Sequence, residues 1–115
     1  AMNWLHARAG ADNLDRNAIS AFGFSSGAHL VSLLAVIAES QHPLNQPHGG
    51  ADARPVAVVA GGLPADLRTF GSGKLIRQFL GGDQQDIPGV YEAASPITHI
   101  TAGTPPFFLF HGAQD

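Results

Sequence analysis

Apolar residues gather in three short runs, at 18–24, 55–60 and 107–110, separated by stretches that are helix-periodic or rich in Gly, Pro and polar side chains. Runs without alternation suit buried strands of a parallel sheet covered on both faces, because neither face meets water. Residues 26–39 place Leu30, Leu33, Leu34 and Ile37 at helical spacing, and Val31, Ala35 and Ala38 make the remainder apolar. That pattern predicts a core helix that sees little water. Residues 1–9 set Met2, Leu5 and Ala9 on a helical stripe beside Trp4 with no capping residue ahead, so the chain is expected to begin inside a helix. A short helix is predicted over Lys74–Leu80, carrying Leu75, Ile76 and Phe79 and closed by Gly81-Gly82 where a left-handed C-cap is favoured. One more helical turn is expected at 90–94, before Ser95-Pro96. The Asp/Asn-rich stretch 10–17 reads as a turn, 40–54 (Pro43, Pro47, Gly49, Gly50) as an exposed excursion, and 83–88 as a polar loop.

Strand, helix, strand, helix, strand predicts an α/β fold with right-handed crossovers and three parallel strands. Ligands in such sheets sit beyond the carboxyl ends of the strands, where Ser25, Gly61-Gly62 and residues 111–115 all fall.

Composition narrows the partners. The 115 residues are 44% hydrophobic and 13% charged, enough for one domain at most, and contain neither repeats nor low-complexity tracts. Net charge is -3 with no basic cluster, which argues against a nucleic-acid partner. Without cysteine the chain has no disulfide, thiolate metal site or cysteine nucleophile, and its redox compartment is left open. The apolar run at 30–38 is too short to span a bilayer, and the N-terminus lacks the layout of a signal peptide, so a soluble segment is expected.

The candidate chemistry centres on Gly23-Phe24-Ser25-Ser26-Gly27, which lies between the first strand and the long helix and reads as a nucleophile elbow presenting Ser25. Glycines 23 and 27 are expected because a Cβ at either would collide with neighbouring backbone where the chain reverses. A serine hydroxyl is a poor nucleophile at neutral pH, so acyl transfer needs a histidine base and a carboxylate to orient it. Asp115, a short turn beyond the third strand, is the candidate acid, in keeping with the chain order Ser, Asp, His that accompanies this elbow. Asp66, just past the second strand, is the alternative acid, its structural explanation being a helix N-cap. No histidine follows Asp115, so none of the six histidines is assigned as the base. His29 and His111 read as local hydrogen-bonding residues, and His6, His42, His48 and His99 as surface or loop positions. His48-Gly49-Gly50 matches a glycine-rich oxyanion loop only superficially, lying after the serine instead of before it, and reads as a flexible loop. Gly71-Ser72-Gly73-Lys74 fails as a phosphate-binding loop because Arg68 and Leu75 occupy the positions needing Gly and Ser or Thr.

Phe22-Gly23-Phe24-Ser25-Ser26-Gly27-Ala28-His29-Leu30, the later Ala94-Ser95-Pro96-Ile97, and Pro105-Pro106-Phe107 through His111-Gly112-Ala113-Gln114-Asp115 together resemble the α/β-hydrolase esterase/lipase family. The likeness covers nearly the whole chain in family order. It is nearest to small carboxylesterases, feruloyl-esterase-like and hormone-sensitive-lipase-like enzymes, while prolyl-oligopeptidase-like peptidases share part of it.

The resemblance implies Ser25 as nucleophile, Asp115 as triad acid, the backbone N–H of Ser26 as one oxyanion donor, a small ester substrate, and neither cofactor nor metal. Ser26 stands where alanine is usual, which keeps the backbone donor but changes the pocket lining. By the same analogy residues 1–115 are the central part of one α/β-hydrolase domain, lacking the upstream His-Gly-Gly-Gly oxyanion loop and the downstream histidine. The 115 residues alone are then expected to be inactive, because loss of one oxyanion donor typically costs about a hundred- to a thousand-fold and loss of the base leaves the serine unactivated. Two open sheet edges would also invite self-association or pairing with chain segments outside residues 1–115. A serine peptidase segment, or a hydrolase-like module that keeps the fold without the reaction, are the alternative readings.

Overall fold

Three parallel strands, β1 (Ala21–Phe24), β2 (Val58–Gly61) and β3 (Phe107–Phe110), form one sheet in the order β1-β2-β3. The structure, a computed structural model, describes residues 1–70 and 73–114. Helices α1 (Met2–Arg8), α2 (Ser26–Ile37), α3 (Lys74–Leu80) and α4 (Pro88–Ala93) flank the sheet, with short 3-10 turns between them. The α/β architecture expected from the apolar runs is therefore the observed one.

The first two strands are shorter than their apolar runs, while β3 coincides with its run. Asp15 accepts the Asn17 N–H (2.8 Å) and caps a 3-10 turn over Arg16–Ala18, which delays the first strand. The second ladder begins only after Pro55, yet Val56 already donates to Ile19 O (2.9 Å) and Ala21 to Ala57 O (2.9 Å).

One face of the sheet is packed and the other is not. Ala28 and Ala35 of α2 lie on Val58 and Ala60, with Val31, Leu63 and Phe107 closing the cluster. Small residues on α2 let helix and sheet approach closely, and full burial of Val58 alone contributes about 1.5–3 kcal/mol. The opposite face carries Phe22, Val59 and Phe108 in one register row and Phe24, Gly61 and Phe110 in the next. Phe22 and Phe108 remain 69% and 65% exposed. The expectation of a sheet covered on both faces is thus corrected: among the described residues, the aromatic face is open. Its side chains cover one another instead, Phe110 lying over Gly61 and meeting the Phe24 and Phe108 rings at 6.3 and 6.4 Å.

The excursion at 40–54 is more tightly held than a flexible loop. Asn45 is buried and donates through Nδ2 to Ala38 O (2.7 Å) and Ser40 O (2.9 Å), while the Gly50 N–H adds a bond to Ala38 O (2.7 Å). These donors satisfy carbonyls that α2 leaves unpaired at its C-terminus. Gly49 is pressed against the Asn45 side chain, leaving no room for a Cβ.

A second, smaller cluster holds the long β2-to-β3 crossover. Leu67, Tyr91 and Ala94 are buried there with Ile76, Leu80 and Ile87 packed around them. Helix α3 ends as the sequence predicts, on Gly81 at φ 92°, whose N–H returns to Arg77 O (2.8 Å). No helix among the described residues is long and apolar enough to cross a membrane.

Candidate active site

Ser25 occupies the single residue between β1 and α2, with φ 53° and ψ -118°. A non-glycine residue there is strained by about 1–3 kcal/mol and persists only where its surroundings over-determine it. Two hydrogen bonds hold it from either side: its N–H donates to Gly61 O (2.8 Å), continuing the ladder past the strand, and its carbonyl accepts from the His29 N–H (3.0 Å), starting the helix. The serine is exposed, as is Ser26 after it. As the first residue of α2, Ser26 has no intrahelical acceptor for its N–H, and the positive end of the helix dipole lies at the same place.

The two flanking glycines do different things. A Cβ on Gly23 would run into the Gly27 carbonyl group and stand 2.5 Å from the Ala28 nitrogen, so the strand and the incoming helix touch backbone to backbone there. Around Gly27 a Cβ would meet nothing within 4 Å. The expectation that both positions exclude a Cβ holds for Gly23 and is corrected for Gly27, whose contribution is the backbone that Gly23 approaches.

Phe24, Gly61 and Phe110 are register partners, so Ser25, Gly62 and His111 are the first residues past the same row of the sheet. Gly62, at φ 54°, donates its N–H to Phe110 O (2.9 Å) and turns the chain away there. The candidate acid Asp115 lies outside the described residues, five positions beyond β3.

Asp66 has both carboxylate oxygens engaged by Arg68: Oδ1 accepts from Nε and Oδ2 from Nη2, each at 2.8 Å, and Oδ1 also takes the Arg68 N–H (3.0 Å). The Arg68 guanidinium holds the Asp66 carboxyl below the usual carboxylate range. This is the geometry of a cap on the 3-10 turn Leu67–Phe70. Asp83, which the sequence places in a solvated loop, is ion-paired with Arg77 at 2.8 Å.

The histidines sort by burial. His29 is buried, and its Nε2–H donates to Ala94 O (2.7 Å) while its ring meets Phe79 edge-on at 5.9 Å. His6 is buried and not on the surface as the sequence suggests, because Arg16 bonds its carbonyl and Asp52 lies 3.7 Å from its Nδ1 where α1 packs on Ala51–Ala53. His42 and His99 stack edge-on at 4.8 Å. Partial burial, reinforced by His99, lowers the pKa of His42. Among the described residues no group of three or more His, Cys, Asp or Glu is placed to hold a metal ion.

Two features escaped the sequence reading. Ser95 is fully buried and acts as a junction, accepting the Leu67 N–H (2.9 Å) and donating to Tyr91 O (2.7 Å). A lone Ser-Pro pair signals a turn, not a buried hydroxyl. The second is a recess beside Ser26, lined by His29, Leu30, Pro64, Leu67 and the apolar side of α3. Leu30, placed by periodicity in the core, borders this recess and is 60% exposed.

Comparison with known proteins identifies relatives of the chain. The BD-FAE family model matches residues 1–115. Over the whole chain the sequence is 31% identical to Esterase LipQ and 32% identical to Esterase LipC, both of Mycobacterium tuberculosis strain ATCC 25618 / H37Rv. It spans 28% and 30% of those two proteins. The structure of Est2, a thermophilic esterase of the planctomycete Thermogutta terrifontis with propionate bound, superposes on 96% of the chain with a TM-score of 0.66 and 25% identity, covering 39% of that protein. The chain belongs to the BD-FAE family, within the α/β-hydrolase esterases and lipases.

Proposed function

We propose that this segment carries the nucleophile of a serine carboxylesterase, with Ser25 attacking the ester carbonyl and the Ser26 N–H receiving the developing oxyanion. The observation that carries the reading is the conformation of Ser25: an exposed serine held at φ 53° at the carboxyl end of a parallel strand, directly before a helix N-terminus. A glycine would adopt that φ without strain, so the bend itself does not require a serine. Acyl transfer does, because the hydroxyl must stand clear of the backbone while N–H groups face the same space.

Asp115 serves as the acid that orients the catalytic histidine, and that histidine comes from outside residues 1–115. Asp66 is the weaker alternative, since Arg68 occupies both of its oxygens. Collapse of the tetrahedral intermediate expels the alcohol and leaves an acyl group on Ser25; water activated by the same histidine then releases the acid. The substrate is a small carboxylic ester. The esterase names of LipQ and LipC favour an ester over a peptide, and Est2 with propionate bound favours a carboxylic acid product. Residues 1–115 by themselves supply too few of these groups to turn over.

The test is active-site labelling. A fluorophosphonate probe is expected to label the full-length protein carrying this segment, and Ser25→Ala to abolish both labelling and hydrolysis of p-nitrophenyl butyrate. Labelling that survives the substitution would place the nucleophile elsewhere.

A further inference from the structure

His29 fastens the first turn of α2 in two directions. Its backbone N–H donates to Ser25 O (3.0 Å), closing that turn on the serine, while its buried side chain donates from Nε2 to Ala94 O (2.7 Å), 65 positions along the chain. A carbonyl can only accept, so this bond fixes the ring proton on Nε2. The same ring meets Phe79 of α3 edge-on at 5.9 Å. One side chain thus joins the helix that starts at the bend to both helices of the β2-to-β3 crossover.

Capping of α4 does not by itself explain a histidine here. The preceding carbonyls at the end of that helix find donors in the chain that follows it: Tyr91 O takes the Ser95 hydroxyl, Glu92 O the Thr98 hydroxyl and Ala93 O the His99 Nε2–H. Ala94 O takes its donor from α2 instead. To supply it, the buried side of α2, otherwise Ala28, Ser32, Ala35 and Ile37, carries an imidazole whose desolvation has to be offset by that bond.

Position gives the bond a second effect. The Ser25 N–H on Gly61 O and the contact of Gly23 with the Gly27 carbonyl hold the bend against the strands. The bond from His29 holds the first turn of α2 against the crossover. We propose that His29 is a positioning residue for the esterase reaction, its bond to Ala94 O fixing the tilt of that turn and so the direction in which the Ser26 N–H meets the developing oxyanion. This rests on the reading of Ser25 as the nucleophile. His29 acts through the turn it holds and not by contact with the reacting atoms, and a misplacement of about 1 Å in such a turn can cost about a hundred-fold in rate.

The experiment uses the full-length protein carrying this segment, with p-nitrophenyl butyrate as substrate and active sites counted by fluorophosphonate labelling. His29→Phe keeps a ring against Phe79 and removes the donor; kcat per active site should fall about ten- to a hundred-fold with KM within about two-fold of the parent. His29→Gln sets an amide N–H where Nε2 stands and should recover most of kcat. Ser95→Ala weakens the same crossover without breaking the His29 bond, so it should lower the urea midpoint and leave kcat per active site unchanged. Should the Phe variant not accumulate, His29→Asn, whose amide stops short of Ala94 O, takes its place in the comparison. A loss of midpoint with kcat intact, a loss that Gln does not recover, or an equal loss of kcat in Ser95→Ala would each overturn the proposal. Labelling that survives Ser25→Ala rejects the nucleophile and this proposal with it, whereas Ser25 labelling at the parent rate in His29→Phe rejects the proposal alone.

Discussion

Gly23 touches the Gly27 carbonyl across the strand-to-helix reversal, leaving no space for a side chain on the strand residue while the helix residue faces open space. Two glycines that look equivalent in the sequence therefore respond differently to the same substitution. Gly23→Ala forces the strand away from α2 and should remove soluble full-length protein, or fluorophosphonate labelling of whatever remains. Gly27→Ala sits in the first turn of a helix without a clash, and should be neutral or stabilise by up to about 1 kcal/mol, measured as a shift in urea midpoint. Equal damage from both would show that the contact drawn here is not what fixes the bend.

Ser95 ties the Leu67–Phe70 turn to the end of α4 with one hydroxyl, accepting from Leu67 and donating to Tyr91 O. Ser95→Ala strands the Leu67 N–H in a buried site, a loss of about 1–3 kcal/mol. Chemical denaturation of the full-length protein should show it as a lower midpoint with an unchanged slope. Ser32 is the opposite case: its hydroxyl is fully buried in α2 and has no hydrogen-bond partner among the described residues. Ser32→Ala removes an unsatisfied group and improves helix propensity, so it should stabilise by about 1 kcal/mol.

How far the sequence could be read follows from which forces act locally. The three strands, the long helix and α3 with its Gly81 cap were legible because apolar spacing and glycine chemistry are local signals, and the Gly-x-Ser-x-Gly string placed Ser25 at the bend that the structure shows. Burial was not legible in the same way. Leu30 fits the periodicity of a core helix, but whether its position is covered depends on α3, which arrives some forty-five residues later and leaves a hollow there. Asn45 looked like loop composition, and only the folded chain brings its amide to the end of α2. Phe22 and Phe108 read as interior because apolar runs do not say which face of a sheet is covered.

His42 links pH to stability through its Nδ1, which accepts the Leu44 N–H (3.2 Å) and caps the 3-10 turn Pro43–Asn45. Only the neutral ring can accept there. Because partial burial and His99 lower the folded-state pKa below the unfolded value, the unfolded chain binds the proton first as pH falls. The stabilisation is therefore complete above the ordinary histidine pKa of about 6.5 and is lost as pH drops through the lower folded value. Melting temperatures at pH 7.5 and 5.5 should differ by less in His42→Asn, which keeps a capping oxygen and does not titrate. The effect should be small, since the ring is only partly buried. An unchanged pH response in the variant would assign the titration to another group.

The open aromatic face leads to the last prediction. Phe22 and Phe108 flank Val59 in one register row, and Phe24 and Phe110 flank Gly61 in the next, so four rings form a continuous apolar strip on a sheet whose two outer strands, β1 and β3, also present unpaired backbone among the described residues. Each phenylalanine that leaves water on association buries about 150–250 Å². An apolar strip and free parallel edges reinforce each other, because a second copy can pair along an edge and cover the rings together. We therefore predict that residues 1–115 expressed alone self-associate at micromolar concentration. The double substitution Phe22→Thr and Phe108→Thr should shift the sedimentation profile toward monomer, since threonine keeps strand propensity while removing the rings. The matching change at Leu14, which is exposed and lies outside the three strands, should leave the profile alone. A monodisperse monomer for the unaltered sequence would show that the rings shield one another well enough to need no further cover.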